Sequence, residues 1–525
     1  MAIAGGGADR LDIDHRSARR WRFGMADVLP LSRRSVIAGV GAAVVSGAPA
    51  VAAAPGARIR KLVLLCAAQS SDPQEFQAAQ LVAAAWRQLG LDIVVRPLPR
   101  PQLASLVWDQ RTKWDLTMWE MVGRPERSDP DELVYSLFDS ATANGGYDFV
   151  NYINPAYDRV AQAQRVELDP KKRQALIWQA QDIINHDQPY TFLVYPKNTI
   201  GYSSKVWKSS SLVDQSGVGI RCFWTYVHAE PQGEQKDMLL NGAQALVALN
   251  PLYIGGAIDS WVTEIVWDRL LRVGPDGLPR PWSASATKWV DPTTLDVDIR
   301  PGQVWHDSQP LTVDDVVYSF EVPAMGNMSP MYKPFVSNIA DVRQTGPWQV
   351  QFKLKSPNAG FLTTCLAKLN VIPKHVWAPI IADLKAKGQN AETYQETKPI
   401  GSGPFRFVSF NLQDRVVLEA FPKHWQPPKM HRWIMRIVTN TDAALGMLSR
   451  GEINFLSDYR GDPKLLAAMA AKTSGIAVTS TTDLGFRYVA LNERRPPFHD
   501  AGLRRALSLA INRELIAAAA FNGYA

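Results

Sequence analysis

Three cysteines in 525 residues are too few for a disulfide framework. Cys66, Cys222 and Cys365 are odd in number and far apart, so they form no zinc spacing either and are expected as buried thiols. Catalytic signatures are missing: there is no G-x-S-x-G, no Walker phosphate loop and no H-E-x-x-H. Neither a catalytic residue set, nor a resident metal, nor a cofactor is therefore expected. Charge of one sign is also scarce. The net charge is +7, but seven Arg and four Asp within residues 1–52 account for +3 of it. What remains is close to neutral for its length, which excludes a nucleic-acid surface. The one extended apolar run, ending near Ala54, is rich in Gly and Ala and broken by Pro49, a poor membrane span. No internal repeat is present.

That N-terminal run has a different use. Residues 1–24 are polar and arginine-containing, consistent with an over-extended start and initiation at Met25. Leu31-Ser32-Arg33-Arg34-Ser35-Val36-Ile37 precedes the weakly apolar stretch, and small residues follow at Ala52–Ala53. The segment 1–54 resembles a twin-arginine export signal, so the mature protein is expected in the periplasm.

From Arg60 the pattern alternates as in α/β folds. Strands are expected at Lys61–Cys66, Leu91–Arg96, Trp114–Trp119 and Thr191–Tyr195. Helices are expected at Gln74–Leu89, ended by Gly90, and at Gln102–Gln110. Asp169-Pro170 is an N-cap followed by proline at N1, opening a helix whose buried side should hold Leu176, Ala180 and Ile183. Farther on, Leu295, Val297 and Ile299 alternate with Thr294, Asp296 and Asp298, the period of a half-buried strand. Pro301-Gly302 then makes a turn, and Val304 and Trp305 should begin a return strand. Thr312 with Asp315 three residues later is a capping-box pattern, starting a helix near Val313 that Pro323 limits.

The order of these elements is more specific than any one of them. Trp289, Asp291, Arg300, Gly302, His306-Asp307, Pro310-Leu311-Thr312, Asp314-Asp315-Val316 and Ser319-Phe320-Glu321 resemble the motif of the family 5 extracellular solute-binding proteins, the peptide- and nickel-type receptors of ABC importers. The motif departs at Ser308, where the family usually has glycine. Ala248-Leu249-Asn250-Pro251, Ile400-Gly401-Ser402-Gly403-Pro404-Phe405, Gly451-Glu452-Ile453 and Arg504-Arg505-Ala506-Leu507 extend the likeness. Residues 60–230 resemble the C-terminal part of the same family, through Gly90, Trp114-Asp115-Leu116, Asp129-Pro130, Tyr152–Asp158 and Asp169-Pro170. The family's order is thus swapped.

The resemblance implies an α/β, two-lobed periplasmic-binding-protein-like fold with an additional inserted small α+β domain, circularly permuted. Lobe II would take 58–190, completed by 485–525. Lobe I would take 191–290, completed by 400–484, and the inserted domain 291–399. The short polar segment Glu230–Asp237 would join the natural ends. The implied function is a monomeric receptor that binds a peptide or peptide-like solute between its lobes and delivers it to ABC permease subunits. An exported hydrolase or a ligand-sensing receptor on the same scaffold are the alternatives. Ligand contacts are expected from Trp119, Arg124, Glu126 and Arg127 on lobe II. The position that takes a ligand ammonium in peptide-binding relatives is Glu126 when aligned from Asp129-Pro130 and Val122 when aligned from Trp119, and Arg124 and Arg127 would take a carboxylate. Ala245, Leu246 and Gly403 would contribute from lobe I. His424 and His431 are surface or structural residues, because Pro422, Pro427 and Pro428 forbid the continuous helix that a metal pair would need.

Overall fold

A computed structural model describes residues 59–525, apart from 145, 245, 247, 248, 255, 412 and 413. The expected export signal at 1–54 and the candidate contact Ala245 fall outside the described residues. No helix among the described residues is long and apolar enough to cross a membrane.

The first sheet draws on both ends of the described chain. Its strand order is Ile93–Leu98, Leu62–Ala67, Leu116–Met121, Phe486–Leu491, Tyr190–Val194. The first three strands are parallel, and Phe486–Leu491 runs antiparallel to both of its neighbours. All six residues of that strand are buried, as a strand covered on both faces requires. Helix Pro73–Gln88 covers one face, with Asp72 capping the Glu75 amide and Gly90 at φ +86° just past the end. Helices Ala501–Leu509 and Arg513–Ala520 cover the same face, and the Trp86 indole donates to the Leu507 carbonyl at 2.8 Å. Helix Pro170–Asp187 lies on the opposite face. Its buried residues are Ile177, Ala180 and Ile184, one position on from the expected Leu176 and Ile183, which are half-buried. Both phases have helical spacing, and packing against the sheet selects between them.

A second, seven-stranded sheet has the order Phe405–Asn411, Arg415–Ala420, Arg432–Ile437, Met238–Gly242, Phe455–Leu456, Lys197–Ser203, Ile476–Thr482. A third, four-stranded and antiparallel, orders Ile339–Gly346, Gln349–Leu354, Thr294–Ile299, Ala284–Asp291. Leu295, Val297 and Ile299 point into its core as their alternation requires. Thr312 and Asp315 form the capping box of helix Val313–Glu321. The return strand expected at Val304 and Trp305 does not form. Val304 makes one bridge to Pro310, while buried Trp305 closes a tight loop by donating its amide to the Gln309 carbonyl at 2.8 Å. The neighbours of Thr294–Ile299 are instead Ala284–Asp291 and Gln349–Leu354.

The chain passes between the first and second sheets at two places, 195–196 and 483–485. These crossings lie side by side. The Asp483 amide donates to the Pro196 carbonyl at 3.0 Å, and Asn198 Nδ2 donates to Asp483 Oδ2 at 2.7 Å. Two adjacent short crossings are the geometry of a hinge. Glu230–Asp237 runs over the outside of the second sheet's lobe, where Glu230 pairs with Lys208 and Lys429, and leads straight into Met238–Gly242.

Candidate functional site: a charged cleft between the lobes

Strand Leu116–Met121 ends at the lobe boundary and gives way to the 3-10 turn Pro125–Ser128 and helix Asp131–Phe138. Facing that turn is one side of helix Ala257–Val266, which presents Ser260, Trp261 and Glu264, one helical turn of spacing. Between them lies a cleft with about 540 Å³ of empty space, part of it open to solvent. Gly123, Arg124, Pro125 and Glu126 form one wall; Val218, Arg221, Cys222 and the 260–264 face form the other, and Arg269 and Lys368 close the end.

Several of these charges already have protein partners. Glu126 makes a short ion pair with Arg269, both buried. Arg269 also donates to the Ala367 carbonyl at 3.0 Å and to Asn370 Oδ1 at 3.3 Å. Burial disfavours the Glu126 carboxylate, yet Arg269 and Lys368 hold it below its ordinary range. Lys368 Nζ reaches Glu132 Oε2 at 2.7 Å, and Arg127 Nε lies 3.5 Å from Glu132 Oε1. The 124–132 segment is thereby clasped to residues of the other lobe and of the four-stranded domain.

Three ionisable groups of the cleft, Arg124, Glu264 and Arg221, stand apart from this clasp. Among the described residues no hydrogen bond or ion pair reaches the Arg124 guanidinium, whose buried Nε has no partner. Nor does any reach the Glu264 carboxylate, which burial pushes up to about 7 despite the nearby Arg269 and Arg272. Arg221 lies over the Trp261 ring at 4.1 Å and donates to the Ser457 carbonyl at 3.3 Å.

Of the seven expected contacts, the cleft walls hold Arg124 and Glu126. Trp119 packs edge-on against Trp108 and Phe149 within its own lobe. Arg127 is buried and turned to the Val122 carbonyl and Glu132, because the 3-10 turn swings it away from the cleft. Leu246 is 2% exposed, in the core of the second lobe. Gly403 packs on the end of helix Ala257–Val266, where a Cβ would stand 2.5 Å from the Ile265 carbonyl oxygen; its constraint is backbone approach. His424 is buried and bonded to Asp268 at 3.2 Å, while His431 is exposed. Glu264, Trp261 and Arg221 were not found from the sequence. The available signal was a second carboxylate, in the last turn of a helix whose first turn already holds Asp259.

A second contact between the lobes is a buried ion cluster. Asp72, Glu75 and Glu120 share Arg100 and Arg487 within the first lobe. Arg460, from the second lobe, reaches Asp72 at 3.3 Å and Glu120 at 3.2 Å and also pairs with its own Asp458 at 3.3 Å.

Known proteins match part of the chain. The oligopeptide-binding protein AppA of Bacillus subtilis is 30% identical over 230 residues, 43% of this chain and 41% of AppA. The glutathione-binding protein GsiB of Salmonella choleraesuis is 29% identical over 191 residues, 36% of this chain and 35% of GsiB. The solved structure of AppA with a nonapeptide aligns with a TM-score of 0.39 at 25% identity, covering 42% of this chain and 44% of that one. The chain therefore matches about two fifths of the length of these relatives. Residues 279–525 match the model of the bacterial extracellular solute-binding proteins, family 5.

Proposed function

We propose that this chain is the substrate-binding receptor of an ABC-type importer, taking a peptide or peptide-like solute between its lobes and delivering it to a membrane permease. The observation that carries the reading is the charged cleft, walled by two lobes that only two adjacent crossings connect. Such a hinge lets the lobes close on a ligand, and closure is what a permease can read. The names of AppA and GsiB, an oligopeptide binder and a glutathione binder, support a peptide-like ligand. A thiol hydrolase is disfavoured by chemistry: the one thiol in the cleft wall, Cys222, is driven by burial up to about 11 and is a poor nucleophile at neutral pH.

The lobe assignment belongs to the same proposal. Lobe II is 58–190 with 485–525, lobe I is 191–290 with 400–484, and 291–399 is an inserted domain, the family order being circularly permuted through Glu230–Asp237. The seating of Phe486–Leu491 between Leu116–Met121 and Tyr190–Val194 supports this, whereas the pairing of Ala284–Asp291 with Thr294–Ile299 argues for starting the inserted domain a few residues before 291. The receptor acts as an exported monomer. Native mass spectrometry of protein purified from its own host tests the function: co-purified peptides or peptide-like molecules are expected, and a released product formed from added peptide would overturn it.

A further inference from the structure

The charges that line the cleft do not balance. Four lining residues are cationic, Arg124, Arg221, Arg269 and Lys368, and two carry carboxyls, Glu126 and Glu264. Arg269 is matched by Glu126. Lys368 is matched by Glu132, which Arg127 also shares at 3.5 Å. Among the described residues no ion pair reaches Arg124, on the wall of the first lobe, or Arg221, on the wall of the second. Glu132 acts on Arg124 only at longer range. Asp483 acts on Arg221 likewise, with its oxygens bonded to Asn198 Nδ2 at 2.7 Å and to the Gly485 amide at 2.6 Å. The remaining carboxyl, Glu264, is pushed by burial up to about 7, so at neutral pH it is only partly ionised. The cleft therefore holds a surplus of positive charge in a partly water-excluded space, where the field concentrates and a negative charge on the ligand is favoured.

Both surplus guanidiniums are free to receive an oxyanion. Arg221 is fixed over the Trp261 ring at 4.1 Å and donates one N–H to the Ser457 carbonyl at 3.3 Å. The Arg124 Nε is buried without a partner. The two belong to opposite walls, so closing the lobes on an empty cleft confines two like charges to one space. An anion between them removes that repulsion. We infer that the cleft selects ligands carrying an anionic group, carboxylate or phosphoryl, in addition to the charges of a peptide's two ends, with Arg124 and Arg221 holding that group from opposite lobes. The planar fork of a guanidinium fits either oxyanion. This rests on the receptor reading above and narrows its ligand class. Acidic peptide-like solutes are taken, and basic ones are disfavoured because a further ammonium adds to the surplus. Glu264, the one unmatched carboxyl, then works against an acidic ligand.

The test is calorimetry on the purified protein, freed of endogenous ligand, with four tripeptides that differ only at the centre: glutamate, phosphoserine, glutamine or lysine between two alanines. The better of the two acidic peptides should bind roughly 10- to 100-fold more tightly than the glutamine peptide, the scale of a charge-assisted hydrogen bond, and its identity tells carboxylate from phosphoryl. The lysine peptide should bind most weakly. Arg124→Gln and Arg221→Gln should each bring the acidic and glutamine peptides' affinities together, whereas a merely structural role would weaken all four and keep their ratios. Glu264→Gln should widen the preference for the acidic peptides. Glutamate and phosphoserine peptides that bind wild-type protein no better than the glutamine peptide would overturn the inference and leave the receptor reading intact. Binding of none of the four would overturn the peptide reading and this inference with it.

Discussion

Arg460 is the residue whose loss should most directly open the two lobes. On the first lobe, three carboxylates (Asp72, Glu75 and Glu120) face two guanidiniums (Arg100 and Arg487), and Arg460, which also pairs with its own Asp458, brings a third guanidinium from the other side. Burial pushes Glu75 up. Against the same penalty, Arg487 and Arg460 hold Asp72 below its usual range, and Arg460 with Arg487 holds Glu120 well below. Arg460→Gln removes two inter-lobe charge-assisted bonds, at 3.3 and 3.2 Å. Each would be worth about 1.5–3 kcal/mol in favourable geometry. Both are long, the Arg460 side chain is 16% exposed, and Arg100 and Arg487 remain with the carboxylates, so the low end applies. We expect a total of about 2–3 kcal/mol, or about 30- to 150-fold in the closed-to-open ratio. Small-angle scattering should show a larger radius of gyration, and ligand affinity should fall by a similar factor where the open form binds weakly. Arg460→Lys, keeping the charge but losing the fork, should fall between. An Arg460→Gln protein with unchanged scattering and affinity within about threefold of wild type, under the 1.36 kcal/mol of a tenfold change, would refute the reasoning.

Four further outcomes are expected. Ser308 sits exposed at φ +71°, where the left-handed conformation costs about 1–2 kcal/mol; after the unfolded-state entropy of glycine, Ser308→Gly should stabilise by roughly 0.5–1 kcal/mol in urea unfolding, and destabilisation would count against that account. Gly403→Ala should cost about 1–3 kcal/mol of stability, because the new methyl meets backbone; a change in affinity alone would restore Gly403 as a ligand contact. Burial drives the Glu493 carboxyl up to about 8 and that of neighbouring Asp148 to about 7, whereas unfolded carboxyls ionise near 4. The folded chain then keeps protons the unfolded chain has released, so this stability is full below about pH 4 and is lost as pH rises through 7 to 8; Glu493→Gln should remove about half of that loss between pH 5 and 8, and parallel pH profiles would contradict it. Finally, replacing Arg33 and Arg34 by lysines should retain precursor in the cytoplasm, and an unchanged periplasmic yield would dismiss the twin-arginine route.

What the sequence made legible was set by neighbours in the chain. The Leu295–Ile299 alternation, the Thr312/Asp315 capping box and the Asp169-Pro170 start depend on spacings of two to four residues, and each appears where its spacing requires. The phase of helix Pro170–Asp187 depends on which face the sheet accepts, so Ile177 and Ile184 displaced Leu176 and Ile183. The missing return strand at Val304 has a similar origin, since the edge it would have paired with is taken by Ala284–Asp291. The site was least legible because its chemistry is decided by partners remote in sequence. Glu126 reads as a free carboxylate on a charged loop until Arg269, 143 residues away, is folded against it. Glu264 reads as one more helix residue until its neighbours' pairings leave it unmatched.

On the proposed permuted order, the same distinction makes block order a weak constraint on this architecture. A central strand needs two edges to pair with and two apolar faces to pack, but nothing in that requirement fixes when the strand is synthesised. Phe486–Leu491 meets it by filling the gap between Leu116–Met121 and Tyr190–Val194, and Leu507 accepts from Trp86 across 421 residues. What chain order does control is where the connections cross between lobes. Here both crossings lie at 195–196 and 483–485, tied by Asp483 to Pro196 and Asn198, so the hinge is unaffected by Glu230–Asp237, which lies on one lobe only. On the proposed receptor reading, a rearrangement that leaves the sheets paired and both crossings in place would keep what closure requires: two lobes joined at one place, with the Arg460 and Arg269 contacts between them.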